Sequence, residues 1–289
     1  MKDFFKNVLA TVLGMFLFSA ICFGFMMMSI IGMIAASDTE TKLKDNSVLT
    51  INLSGVINEK ASTDYLGFLS GDAVENSGLN DILMAIKKAK NNDEIKGIYI
   101  EAGPLGAGFS TLQEIRNALA DFKKSGKWIV AYGDTYSQGS YYVASVANHI
   151  YLNPEGQVDW HGLASQPYYI KDLAAKFGVK YQVAKVGTFK SATETYTETK
   201  MSDANRLQVS LYLNGLWANV CKAVSESRKI SIPTLNTYAD EYQLFATPQS
   251  LIKKRLIDKL LYADQVKGEV KKLLGIDADE SINQVGISA

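Results

Sequence analysis

Residues 97–132 read GIYIEAGPLGAGFSTLQEIRNALADFKKSGKWIVAY, and the order of patterns within them decides the fold. Gly97-Ile-Tyr-Ile100 is a short apolar run that suits a buried strand, and a glycine-rich loop, Glu101 to Ser110, follows it. Leu112, Ile115, Leu119 and Phe122 then recur at helical spacing, and the helix stops near Gly126. Trp128-Ile-Val-Ala-Tyr132 is the next apolar run. Strands alternating with helices predict a parallel or mostly parallel sheet with helical crossovers.

The same alternation extends outward. Upstream, Val48 to Gly55 alternates like a strand, Tyr65 to Ser77 is a polar loop, and Leu79, Ile82, Leu83 and Ile86 mark a helix. Downstream, a second glycine-containing turn, Tyr136-Ser-Gln-Gly-Ser140, opens a helix from Tyr141 to Val146. His149 to Leu152 is a strand ended by Asn153-Pro154, Leu173 to Phe177 a helix, and Tyr181 to Val186 another strand. Ser202 is the expected N-cap of a long helix reaching about Ser227. Thr247-Pro248 starts a further helix through Leu260, and Leu261 to Leu274 adds one more; Asp277 to Ala289 has no strong pattern.

Val8 to Ala36 carries no Asp, Glu, Lys or Arg and exceeds the about 20 residues that span a bilayer as a helix. Lys2 and Lys6 precede it, and Asp38 and Glu40 follow, so the positive flank belongs inside and Ser37 onward outside. A cleaved signal peptide is the rival reading, favoured by the small residues Ala35, Ala36 and Ser37, but its apolar region is normally shorter. The expected organisation is a cytoplasmic stub and anchor over 1–37, a linker over 38–46 and one α/β module over 47–289.

Composition excludes several functions. A net charge of zero gives no basis for nucleic-acid binding. Two cysteines, Cys22 in the anchor and Cys221 in a helix, make no disulfide framework, and two histidines, His149 and His161, are too few for an ordinary zinc site. Neither glycine-rich loop matches a dinucleotide or P-loop fingerprint, so no cofactor is implied. Loops at the carboxyl ends of parallel strands are nonetheless where open α/β sheets bind ligands, and helix N-termini there offer N–H groups to an oxyanion. Such turns are more often structural than catalytic. Asp159 and His161, flanking Trp160, read as a structural turn, and Lys253-Lys-Arg255 as a solvated helix face.

Three ordered segments carry a resemblance to a known family. They are Ser125-Gly-Lys with its strand and Ser137-Gln-Gly-Ser-Tyr-Tyr-Val-Ala-Ser145, then Ile150-Tyr-Leu-Asn-Pro-Glu-Gly-Gln-Val-Asp-Trp-His-Gly162, and Val186-Gly-Thr-Phe-Lys-Ser-Ala192 leading to Met201-Ser and the long helix. Together with Ser250 to Lys259 they resemble the membrane-bound serine peptidases called signal peptide peptidase A, or protease IV, over most of Val48 to about Leu261. The resemblance implies the fold of crotonases and the Clp peptidase: stacked β-α-β units with a helical C-terminal part and catalytic groups on loops and helix starts. It also implies a serine nucleophile activated by a lysine, here Lys190. Lysine has a reference pKa of about 10.4 and must be desolvated, away from any carboxylate, to act as a general base. Val186, Gly187, Phe189 and Ala192 are apolar or small, and Glu194 is the first carboxylate after the lysine.

The nucleophile departs from the family pattern. Aligning Tyr141-Tyr142 on the family's tyrosine pair puts Gln138 where the serine should stand, and Gln138 cannot attack a carbonyl. Ser137 and Ser140 are near but displaced along a tight turn that re-aims the side chain. The family's Pro-Gly-Gly, which lends oxyanion-stabilising backbone, appears here as Leu105-Gly106-Ala107.

The long form of the family divides its dyad between two tandem modules, lysine in the first and serine in the second. The chain is therefore expected to be the amino-terminal, lysine-bearing module. The implied setting is a bowl of several subunits on the bacterial inner membrane, with its bulk on the extracytoplasmic side. The implied partners are leftover signal peptides, a serine-bearing second module and further copies of the chain. A non-catalytic membrane scaffold with the same fold is the alternative. An acyl-CoA enzyme of crotonase type is disfavoured, because the charge flanks place the module outside the cytoplasm.

Overall fold

The computed structural model describes residues 2–37, 43–61 and 78–287, and the chain divides into two units at Leu43/Lys44. The loop expected over Tyr65 to Ser77 lies outside the described residues, as does 38–42 of the expected linker. In the first unit a single helix, α1 (Lys2–Ser37), carries exposed Phe16, Phe18, Phe25 and Met28. It is apolar on every side and is long and apolar enough to cross a membrane.

The second unit is built on a six-stranded sheet. Its strands are β1 (Ser47–Val56), β2 (Ile95–Gly106), β3 (Trp128–Tyr136), β4 (His149–Val158), β5 (Lys259–Leu260) and β6 (Asn283–Val285). The order is β5-β4-β3-β2-β1-β6 and every pairing is parallel. Helix α2 (Leu79–Asn91) links β1 to β2, α3 (Phe109–Lys123) links β2 to β3, and α4 (Gln138–Ala144) links β3 to β4. Ile98 pairs with Ile129, Ile100 with Ala131, and Ala131 in turn with Ile150, so one face is a continuous aliphatic layer. Ile82 and Ile86 of α2 and Leu112, Ile115, Leu119 and Phe122 of α3 complete this core. Each large side chain buried here contributes about 1.5–3 kcal/mol relative to exposure.

The opposite face carries Val48, Val130, Tyr132 and Tyr151, which pack with Val266, Val270 and Leu274 of α10 (Ala263–Leu274). Burial on both faces explains why the strands read as near-continuous apolar runs.

The remaining α-helices among the described residues are α5 (Lys171–Lys176), α6 (Glu194–Thr197), α7 (Asp203–Arg228), α8 (Ile232–Asp240) and α9 (Pro248–Lys253). Two arginines fasten α7 to the sheet layer. Arg116 of α3, itself buried, donates from Nε to the Tyr142 carbonyl at 3.2 Å and from Nη2 to the Ala223 carbonyl at 2.7 Å and Ser227 Oγ at 2.6 Å. Arg228 forms a two-pronged pair with Asp258 at 2.7 and 3.2 Å, and Asp258 also accepts from the Ile150 amide at 2.7 Å.

Several expected boundaries are corrected. The glycine-rich stretch after Ile100 is largely strand, because β1 and β2 resume pairing at Gly55–Leu105 and Val56–Gly106 beyond a register shift. β4 likewise does not end at Pro154: it pairs again with β3 at Thr135–Gln157 and Tyr136–Val158, leaving the proline in the irregularity, where no ladder N–H is needed. The helix after β3 starts at Gln138, ahead of Tyr141. The strand expected over Tyr181 to Val186 does not form. That segment pairs with no described strand, and backbone groups without partners stay in water. The helix from Pro248 stops at Lys253, since Arg255 adopts φ 61° and the chain turns to lay β5 beside β4.

Candidate active site

The chemically suggestive turns gather after β2, β3 and β4. Ser137 caps α4, its Oγ accepting from the Ser140 amide at 3.3 Å. The same oxygen accepts from the Leu105 amide at 3.3 Å, so the loop expected to lend oxyanion-stabilising N–H groups gives one of them to Ser137. Ser140 is fully buried and donates from Oγ to the Ser137 carbonyl at 3.1 Å. Both hydroxyls serve the turn itself.

Gln138, at the position expected for the nucleophile, is buried and hydrogen-bonded at both ends of its amide. Its Nε2 donates to the Gly162 carbonyl at 2.9 Å, and its Oε1 accepts from the amides of His161 at 3.0 Å and Gly162 at 2.9 Å. Gly162 has φ 83°, a left-handed value that side chains strain to adopt, so the glycine is required where the chain bends back to Gln138. Asp159 and His161 form a local 2.6 Å contact, Asp159 Oδ1 to His161 Nδ1. Trp160 between them is fully buried, stacks edge-on with Tyr141 at 5.7 Å, and donates from Nε1 to the Leu235 carbonyl at 2.9 Å. Tyr141 in turn donates to the Leu256 carbonyl at 2.8 Å.

Lys190 lies elsewhere in the chain, immediately before a short 3-10 turn (Ser191–Thr193). It is exposed, and so are its expected apolar neighbours: Val186 is 90% and Phe189 54% exposed. Gly187, with φ 99°, makes the turn that presents the lysine. The apolar enclosure expected around the amine is not built by the described residues, because Tyr181 to Lys190 runs without packing onto the core.

Sequence reasoning missed Glu194 as a structural group. Between Gly162 and Val220 it is the only buried residue. Its carboxylate accepts from Ser202 Oγ at 2.6 Å, the Ser202 amide at 3.2 Å and Asn205 Nδ2 at 2.9 Å. Burial by itself would raise its pKa, but the hydrogen bonds from Ser202 and Asn205 outweigh it and hold the carboxyl below its ordinary value. Ser202 is also the N-cap of α7, accepting from the Asn205 amide at 3.1 Å, so the charge sits at a helix N-terminus. The readable signal was a carboxylate shortly before a Ser-x-x-Asn helix start.

A parallel sheet of stacked β-α-β units, with its polar turns after β2, β3 and β4, is an α/β module of the crotonase-like class. Within that class the chain belongs to peptidase family S49, whose profile matches residues 121–277 and so takes in both Gln138 and Lys190. It is 40% identical to Protease 4 of Salmonella typhi over 213 residues, which cover 71% of this chain and 33% of that protein. It is 32% identical to Protease 4 of Haemophilus influenzae over 285 residues, covering 91% of this chain and 46% of the other. The chloroplastic serine protease SPPA of Arabidopsis thaliana is 26% identical over 248 residues, 84% of this chain and 35% of that protein. The chain thus spans a third to a half of the length of these relatives.

Proposed function

We propose that this chain is the membrane-anchored, lysine-bearing module of a Ser–Lys endopeptidase that degrades residual signal peptides. The supporting observation is the contrast within one family member: Lys190 is presented on a glycine turn, while the expected nucleophile position holds a buried Gln138 hydrogen-bonded through both amide atoms. The serine comes from a second module, and this half alone is inactive. In that reading α1 is the anchor, with Lys2 and Lys6 on the cytoplasmic side of the bacterial inner membrane and residues 47–289 on the other. The name of one relative, the putative signal peptide peptidase SppA of Enterococcus faecium, 20% identical over 234 residues, supports the substrate class.

A general base must be a neutral amine, which requires desolvation. Lys190, Val186 and Phe189 are exposed, so the cover comes from the serine module or a further copy of the chain. There the amine takes the proton from the serine hydroxyl as the oxygen attacks the scissile carbonyl, and returns it to the leaving amine. The packed Gln138 supports a second reading, a scaffold of the same fold without chemistry. A fluorogenic signal-peptide mimic separates the two when the chain is combined with a serine-bearing module. Lys190→Ala is expected to lower kcat about 100- to 10,000-fold, the usual contribution of a general base. Full activity in that variant overturns the base assignment and leaves the scaffold.

A further inference from the structure

The long excursion from Gly162 to Val220 leaves the core, presents Lys190 and returns as α7, and its side chains are exposed or half-exposed except for one. An exposed arm should bury an apolar anchor if it buries anything. This one buries a carboxylate, Glu194, four residues after the lysine, and saturates it with three donors from the start of α7.

We infer that Glu194 is the positioning residue of Lys190, pinning the lysine turn to the N-terminus of α7 and committing its own charge there, away from the amine. The inference rests on the assignment of Lys190 as the base.

The path supports this. From Lys190 the chain runs through Ser191–Thr193 and then into α6, which opens with Glu194 itself; the Glu194 amide donates to the Ser191 carbonyl. The turn and the pin are therefore one short, closed piece of backbone. Other ties hold the outer side of the arm: the Ile170 amide donates to the Thr195 carbonyl at 2.8 Å, and the rings of Tyr181 and Tyr196 lie 4.9 Å apart. On the upstream side Val186, Thr188 and Phe189 are exposed and restrain nothing. Fixing a catalytic amine by a neighbouring buried group lowers the entropy it must lose in the transition state. A carboxylate left unsatisfied four residues away would instead pair with the amine and oppose its neutral form. Donation from Ser202 and Asn205 engages the carboxylate in hydrogen bonds of its own instead.

The test has two arms. In the chain as it stands, Glu194→Ala should speed hydrogen exchange of the hydrogen-bonded Glu194 and Glu198 amides at least tenfold while β2 and β3 keep their protection; unchanged exchange overturns the pin. In combination with a serine-bearing module, Glu194→Ala should lower kcat about 10- to 100-fold with KM within twofold, and Glu194→Asp should recover most of the loss. A fall in activity matched by a fall in folded fraction, with no rescue by Asp, would assign Glu194 to stability alone. Lys190→Ala is the control. If it leaves activity intact, the base assignment fails; if it abolishes activity while Glu194→Ala does not change kcat, only the positioning role fails.

Discussion

Gln138 and Gly162 are joined twice, side-chain amide to peptide, with the Gln138 Nε2 donating to the Gly162 carbonyl and its Oε1 accepting from the Gly162 amide, both at 2.9 Å. The glutamine thus acts as a template for the bend after β4, bringing buried Trp160 against Tyr141. It fills the place where the family resemblance leads one to expect a nucleophile, and its hydrogen bonds there are structural.

Replacing Gln138 by Ala should therefore destabilise the fold by about 2–4 kcal/mol, because buried or half-buried amides at His161 and Gly162 lose their acceptor. Urea unfolding followed by the signal of the sheet-bearing unit reads this directly. Gln138→Ser should cost about as much and confer no peptidase activity on the chain alone, since Ser137 and Ser140 already use the turn's donors. Turnover of a signal-peptide mimic by that variant would contradict the placement of the nucleophile outside this module.

Acid should loosen α10 from β5 before it affects the rest of the sheet. Hydrogen bonds from Lys259 at 2.6 Å and Lys272 at 2.8 Å hold the Glu269 carboxyl down at about 2, against an ordinary 4.5. A depressed carboxyl stabilises the fold above its unfolded value and loses that contribution as pH falls from 4.5 through 2. Both lysines are largely exposed, so screening limits the effect to about 1 kcal/mol. Denaturation curves at pH 6 and pH 3 should differ by roughly that amount more in the native chain than in Glu269→Gln; equal differences would remove the pair from the account.

Cys221 is fully buried on α7, and burial pushes its thiol up to about 12. Thiolate is the reactive form, so alkylation at pH 8 should be slow in the folded chain and should rise with urea along the unfolding curve. Mass spectrometry of iodoacetamide-treated protein gives the readout. Rapid labelling of Cys221 without denaturant would show that the contact between α7 and α8 opens independently of the sheet.

The sheet was legible because its strands are buried on both faces and read as apolar runs; the runs at Trp128 and His149 needed no other context. Their ends were not legible. Pairing beyond Gly103 and Pro154 depends on where neighbouring strands fall back into register, which is a property of two segments at once. Tyr181 to Val186 shows the reverse case: the local pattern favours a strand, but the fold supplies no partner. α8 was missed although its Ser231 cap with Pro233 in the first turn is the same kind of helix start as Thr247-Pro248; its nine residues are too short for the apolar period to stand out. Lys190 could be singled out only through a motif, since nothing in its own neighbourhood distinguishes it from a solvated lysine. Glu194 was passed over for a related reason, its one sign being the Ser-x-x-Asn helix start that follows it. A buried carboxylate is an exception to composition rules, and its donors lie on a different element.

The arm from Gly162 to Val220 has a calorimetric consequence. Heat capacity tracks apolar surface removed from water, and this stretch removes little of its own, with Phe177 78%, Leu211 65% and Tyr212 66% exposed. Unfolding the isolated module should thus show a smaller heat-capacity increment than its length suggests. The missing part should reappear, with negative sign, in the heat-capacity change of whatever association covers the arm.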